Sequence, residues 1–188
     1  EEVAEFTAKP TTSFKDFSDT VSVFLEVHGE NYLKLQPEFI GISDEQFVMT
    51  KKVEDIDLED FKEFLESRKT VKTYDLKRQV ALLDHLDIKF DHFTDDIMLA
   101  SFLINPSKKI IDVAETVADF NISINSDDFH YGKGRNKKDP STEETIDFLS
   151  DKVQAIHQVA DLMTEKLKKD EMYSLWHDLE IPLAKVLV

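Results

Sequence analysis

Lys133, Arg135, Lys137 and Lys138 form the dense basic cluster of a chain whose formal net charge is −16. Such a cluster suits DNA or an acidic partner, because lysine and arginine displace the counterions that phosphates hold. The plainer reading is a solvated loop. Gly132 and Gly134 flank Lys133, so the backbone there can form a small anion nest or an ordinary turn. The six histidines, His28, His85, His92, His130, His157 and His177, fall in no His-Glu-x-x-His or similar metal spacing. No Ser-His-Asp elbow and no phosphate-binding glycine loop occur. The 14 phenylalanines are spread over core positions, which gives a base-stacking platform no support. With no cysteine, disulfides, thiolate metal sites and thiol nucleophiles are excluded.

The elements that must position any such chemistry belong to one domain. The chain has 188 residues, of which 41% are hydrophobic and 33% charged, enough for a core of its own. No apolar run of about 18 residues is available to cross a membrane, and the acidic start is unlike a signal peptide. A cytoplasmic setting is expected. The chain does not begin with Met and is expected to start inside a larger protein.

Residues 1–15 lack periodicity and read as a linker or arm. Val21, Val23, Leu25 and Val27 alternate with Ser22, Phe24 and Glu26, which predicts a strand with the two sets on opposite faces. Strands over residues 39–43 and 46–50 follow, joined by a turn at 43–45. Asp57 is placed to cap a helix with Leu58, Phe61 and Leu65 inside, and residues 70–73 read as a short strand. Residues 74–106 organise the centre. Leu76, Val80 and Leu83 mark one helix, and Ile88 and Phe90 alternate as a strand. Thr94 is expected to cap the next helix, with Asp95 and Asp96 in its first turn, Ile97, Ala100 and Ile104 inside and Pro106 at its end.

Residues 110–120 read as a helix with Ile110, Val113, Val117 and Phe120 on one face, and 121–139 as a polar loop. Ser141 and Glu144 have capping-box spacing. They open a long helix with Ile146, Leu149, Val153, Ile156, Met163 and Leu167 on one face. Two short helices, around Trp176 and Pro182, end the chain. Strands first and helices later predict an α/β fold, a mixed sheet with helices packed on it.

Three segments carry a resemblance. Asp96-Ile-Met-Leu-Ala-Ser-Phe-Leu-Ile-Asn105 resembles the D-x-M-L-x-S/A-Y/F-L-L/I-N signature of the 3′–5′ exonuclease domain of bacterial DNA polymerase I (family A). Phe129-His-Tyr-Gly-Lys-Gly134 is similar to that domain's Y/A-G-K-G loop. Glu180-Ile-Pro-Leu-Ala-Lys-Val-Leu187 is similar to the E-x-P-L-x-x-V-L segment that opens the polymerase part. The resemblance implies a ribonuclease-H-like fold over residues 1–188, with 180–188 beginning the link to a polymerase domain. It also implies two divalent metals about 4 Å apart, held by carboxylates. The family places two of these as D-x-E on the first strand and a third at the central helix. A fourth lies on the long helix, four residues after a water-orienting Tyr.

Set on this sequence, the D-x-E position reads Phe24-Leu25-Glu26, or Glu26-Val27-His28 if slipped by two. Either way one acid is left. Ungapped counting puts the third acid at Gln79; a gap would move it to Lys77 or Asp75. The Tyr and the fourth acid become Phe148 and Lys152. A lysine about 4 Å from a divalent ion repels it by roughly 8 kcal/mol at an effective dielectric near 20. Glu26 and Lys152 are therefore expected to pair with each other, and no catalytic residue, metal or cofactor is expected. Asp151, one helix position from Lys152, should point elsewhere.

The expected function is thus a vestigial, Gram-positive-like exonuclease domain without catalysis of its own. It would be a structural platform for the DNA-directed DNA polymerase (a nucleotidyltransferase of replication and repair, near the nucleoid) in the same chain. DNA would be met through that parent protein, weakly or not at all through this domain, and no membrane is involved. One alternative is an active, metal-dependent 3′–5′ proofreading exonuclease with a rearranged site. Another is a free-standing interaction module that borrowed the fold.

Overall fold

The structure is a computed structural model and describes residues 5–186 apart from 30, 32, 110 and 111. Its framework is one six-stranded sheet in the order β1-β4-β3-β2-β5-β6. β2 (Thr20–Glu26), β3 (Phe39–Ser43) and β4 (Phe47–Lys52) form an antiparallel meander. β5 (Thr70–Thr73) runs parallel to β2. The two-residue strands β1 (Lys9–Pro10) and β6 (Asp95–Asp96) add parallel edges on β4 and β5.

The alternation in β2 divides the core as the sequence predicts. Val21, Val23, Leu25 and Val27 pack with α1 (Leu58–Ser67) and α2 (Leu76–His85) on one face. Phe24 packs on the other with α3 (Ile97–Ile104), α4 (Val113–Ala118) and the long α6 (Thr142–Lys169). Gly41 lets α6 come close. A Cβ there would lie 2.9 Å from Leu149 Cγ, so any larger residue would push the helix off the sheet. The Ser141–Glu144 capping box is formed. α7 (Tyr173–Leu175), a π-turn over Trp176–Glu180 and α8 (Ile181–Val186) continue the chain, with Trp176 buried.

Several expectations are corrected. Ile88 and Phe90 are buried in a coil, not a strand; their alternation reflects burial under a crossing segment without ladder partners. The first bond to β5 is Thr94 N–H to the Val71 carbonyl. The cap of α3 is Asp96, whose carboxylate accepts the Met98 N–H, while the Thr94 hydroxyl is turned to Val71. In α1, Phe64 is buried and Leu58 only half-buried. The helix expected over 110–120 covers 113–118, and Ile110 lies outside the described residues, as do residues 1–4, Leu187 and Val188. Part of the N-terminal arm is a sheet edge. The polar loop 121–139 contains a helix, α5 (Asp127–Tyr131), and a 3-10 turn at Gly134–Asn136.

Candidate functional site

The site forms where the end of β2 meets the middle of α6. Strand alternation puts Phe24 and Glu26 on the α6 side, and the four-residue spacing of Phe148 and Lys152 puts both on the helix face toward them. Lys152 Nζ donates to Glu26 Oε2 at 2.8 Å and to Asp127 Oδ1 at 2.9 Å. The Phe148 and Phe24 rings lie 4.3 and 5.0 Å from the same ammonium, within cation–π range. The other oxygen of Glu26 accepts the Tyr131 hydroxyl at 2.8 Å. Burial works against the Lys152 ammonium, but the carboxylates of Glu26 and Asp127 and their hydrogen bonds outweigh it and hold its pKa above the ordinary value. The Tyr131 phenol is held in its protonated form, first by burial and then by the Glu26 charge.

Asp127 and Tyr131 come from the segment that reads as a polar loop. Ser126 caps α5, and Asp112, the cap of α4, also accepts the Asp127 N–H at 2.9 Å. His130 Nε2 lies 2.9 Å from Thr145 Oγ1, and its ring stacks 4.0 Å from Phe148. Burial and the nearby Lys152 charge lower the His130 pKa. The capping signal Ser126-Asp127-Asp128 was visible in the sequence; what it would be pressed against was not.

Gln79 does not belong to this site. It is fully buried at the edge of β2, where its amide accepts the Leu25 N–H at 2.7 Å and donates to the Leu25 carbonyl at 3.3 Å. Lys77 is exposed. Asp75, the gapped alternative, lines the same cleft as Glu26. It caps α2 with φ 61°, a left-handed conformation unusual outside glycine, and burial raises its pKa. Asp96 anchors it by accepting the N–H groups of Asp75 and Leu76 at 2.9 and 2.7 Å. Burial outweighs those bonds and raises the Asp96 pKa to about 6. Asp151 is exposed.

Lys133, Arg135, Lys137 and Lys138 are all exposed. Lys138 donates to the Phe129 carbonyl at 2.7 Å, and Lys133 lies 3.9 Å from Asp128. The Gly132 N–H bonds the Asp128 carbonyl, so it closes α5 as a turn and is not turned out toward an anion. A cleft of about 720 Å³ contains Glu26, Asp75, Asp127, Lys133, Lys137 and Lys152. A neighbouring one of about 620 Å³ contains Lys52, Glu38 and Lys138.

The donor set does not fit a two-metal centre. Divalent cations of this kind need several oxygen ligands, and the two carboxylates that converge here already share an ammonium. Among the described residues no three His, Asp or Glu side chains are grouped so as to hold a metal ion.

Comparison with known proteins places this geometry in a family. The family described as "DNA polymerase I, ribonuclease H-like domain" matches residues 23–159. DNA polymerase I of Bacillus subtilis (strain 168) is 32% identical over 134 residues, 70% of this chain and 15% of that protein. DNA polymerase I of Lactococcus lactis subsp. cremoris is 29% identical over 99% of this chain and 21% of that protein. The chain thus spans only 15% and 21% of the length of these two curated relatives. Brucella melitensis NrnC superposes with a TM-score of 0.74 at 14% identity, over 98% of this chain and 93% of that one. Escherichia coli RNase D, an exoribonuclease, gives 0.68 at 15% identity, over 92% and 45%. At these identities the structural likeness bears on fold alone.

Proposed function

The chain belongs to the DNA polymerase I ribonuclease H-like domain family, and on that premise we propose that its 3′–5′ exonuclease-like site is catalytically silent. The domain then serves as a structural platform for a polymerase domain in the same polypeptide. In this reading a single domain spans 1–188, the parent is a cytoplasmic DNA-directed DNA polymerase of replication and repair, and residues 180–188 lead toward its polymerase part. Among the described residues, no helix is long and apolar enough to cross a membrane.

One observation carries the proposal. The Lys152 ammonium, 2% exposed, sits between Glu26 and Asp127 where a nuclease of this fold would gather its cations. Bringing a divalent ion to that point would set it against a fixed positive charge in a poorly solvated place. Phe148 offers no hydroxyl to orient water, and Phe24 offers a ring where the family has an acid. The hydroxyl that does reach Glu26, from Tyr131, comes from a different element.

Asp75, Asp112 and Asp127 in the same cleft as Glu26 support the second reading, an active exonuclease on a rearranged set. A 3′-labelled single strand incubated with the protein and Mg²⁺ or Mn²⁺ separates the two. Intact strand is expected; shortening that Glu26→Ala abolishes would overturn the silent-site reading.

A further inference from the structure

Another cleft lies at the opposite end of the sheet from Glu26, where α6 passes the turn between β3 and β4. It encloses about 330 Å³, within the range of small-ligand sites. Gln154, His157, Gln158 and Asp161 recur at spacings of three and four, so they share one face of α6, and all four line the cleft. Asp44 and Glu45 of the turn line it as well; among the described residues no lysine or arginine does. Two of these walls are buried side chains with one polar atom committed to the fold and another left over. Gln154 is 7% exposed, and its amide N–H donates to the Ser150 carbonyl at 3.0 Å; among the described residues nothing donates to its Oε1. His157 is 5% exposed, with Nδ1 2.8 Å from Ser22 Oγ; among the described residues nothing bonds Nε2. Gln158 Oε1, on the same stripe, is buried without a donor too. Burial and the nearby Lys72 charge keep the imidazole neutral. Lys72 itself borders the adjoining cleft, its ammonium engaged by Asp161 at 2.8 Å.

We propose that this cleft is a slot for a guanidinium cation, free or carried by an arginine side chain: Asp44, Glu45 and Asp161 supply the charge, and Gln154 Oε1 and His157 Nε2 accept its N–H groups. The slot stands whether or not the Glu26 site is silent. Leftover acceptors beside carboxylates call for a ligand that is rich in donors and positively charged. Among the described residues no three His, Asp or Glu side chains are grouped so as to hold a metal ion, which leaves an organic cation. A guanidinium suits the place better than an ammonium. Its five donors lie in a fixed plane, and it is the more weakly hydrated of the two, so it gives up less on entering a partly buried slot. Leu162, 44% exposed, and Ala8 offer apolar surface to the methylenes behind the cation. Binding selects the imidazole tautomer with its proton on Nδ1, donated to Ser22 Oγ, which turns the Nε2 lone pair toward the cleft.

The test is a ¹H–¹⁵N NMR titration of the whole chain at pH 7 with N-acetyl-arginine amide, in about 0.1 M salt to screen the general negative charge. Saturable shifts are expected at residues 43–46 and 154–162. The His157 Nε2 resonance should move while remaining that of an unprotonated nitrogen. Glu45→Gln, at an exposed turn position, and Gln154→Met should each weaken binding at least threefold. Glu66→Gln, exposed on α1 at the other face of the sheet, should bind like the parent. If Gln154→Met does not fold, Glu45→Gln alone carries the expectation. Ethylguanidinium and acetyl-Gly-Arg-Gly-amide distinguish the sources: tighter binding of the tripeptide assigns the slot to an arginine on a polypeptide, and tighter binding of ethylguanidinium to a free compound. Shifts that fail to saturate, or that spread evenly over the acidic surface, overturn the slot. So does a Glu66→Gln effect as large as that of Glu45→Gln. N-acetyl-lysine amide binding as tightly as the arginine probe overturns the choice of guanidinium.

Discussion

Lys152 Nζ and Glu26 Oε2 meet at 2.8 Å across 126 residues of chain, both side chains almost wholly buried. Taking two such charges out of water costs several kcal/mol each, which their attraction and hydrogen bonds must offset. Here the offset is shared. Asp127 and Tyr131 complete the hydrogen bonding, and two phenylalanine faces line the ammonium.

Breaking that pair from one side is the sharpest test of its role. Lys152→Met should cost about 3–5 kcal/mol at neutral pH, because it leaves the Glu26 carboxylate buried without a cation. Lys152→Met/Glu26→Gln should recover most of the loss. Urea unfolding of the four corners of this cycle measures the coupling; additive losses would show that the pair is not a unit.

Restoring acids tests the placement of the lost ligands. Phe24→Asp/Lys152→Asp, with Glu26 and Asp75 left in place, should gain Mn²⁺ binding detectable by calorimetry. Gln79→Asp should add nothing to it and should instead destabilise by roughly 2 kcal/mol. The amide of Gln79 serves both backbone groups of Leu25, and a carboxylate can serve only one of them. Metal binding that depends on residue 79 would contradict the geometry.

Gly132 should be intolerant of a side chain. Its φ is 74°, and a Cβ would lie 2.0 Å from the Asn136 carbonyl oxygen. Gly132→Ala is expected to cost at least about 1 kcal/mol and to speed exchange in α5. Thermal unfolding and hydrogen exchange report both; an unchanged melting temperature would show that the turn relaxes freely.

Two buried groups oppose each other in the acid range. His157, bonded to Ser22 at 2.8 Å, has its pKa lowered to about 4 by burial and by Lys72, with Asp161 and Asp44 acting the other way. The folded state then binds fewer protons than the unfolded one, so this stability is complete above about 6.5 and is lost as pH falls toward about 4. Asp96, raised to about 6 by burial, has the reverse slope, losing stability as pH rises from about 4 to 6. The two nearly cancel in the parent chain. His157→Asn should remove the first slope alone, making the variant relatively more stable by about 2–3 kcal/mol at about pH 4.5 than at pH 7. Equal differences at the two pH values, from urea titrations, would count against a neutral buried histidine.

Much of this was legible in the residues. Period-two alternation assigns Val21, Val23, Leu25 and Val27 to one face of the first strand and Phe24 and Glu26 to the other, because successive side chains on a strand must oppose. Four-residue spacing joins Phe148 to Lys152, and a lone acid opposite a lysine implies the pair that forms. Local rules could not reach further. Ile88 and Phe90 mimic a strand because burial alone produces alternation, and only the sheet decides which segment finds a ladder. Gln79 and Asp75 have the four-residue spacing that puts two side chains on one helix face, yet Asp75 is the cap, turned out of the helix by its left-handed φ of 61°, so it lines the cleft while Gln79 reaches the edge of β2. Asp127 and Tyr131 lie in a polar stretch whose short helix is marked in the sequence by its cap alone. Its place is set by Asp112, Thr145 and Lys152, partners distant in sequence that only the folded chain brings within hydrogen-bonding reach.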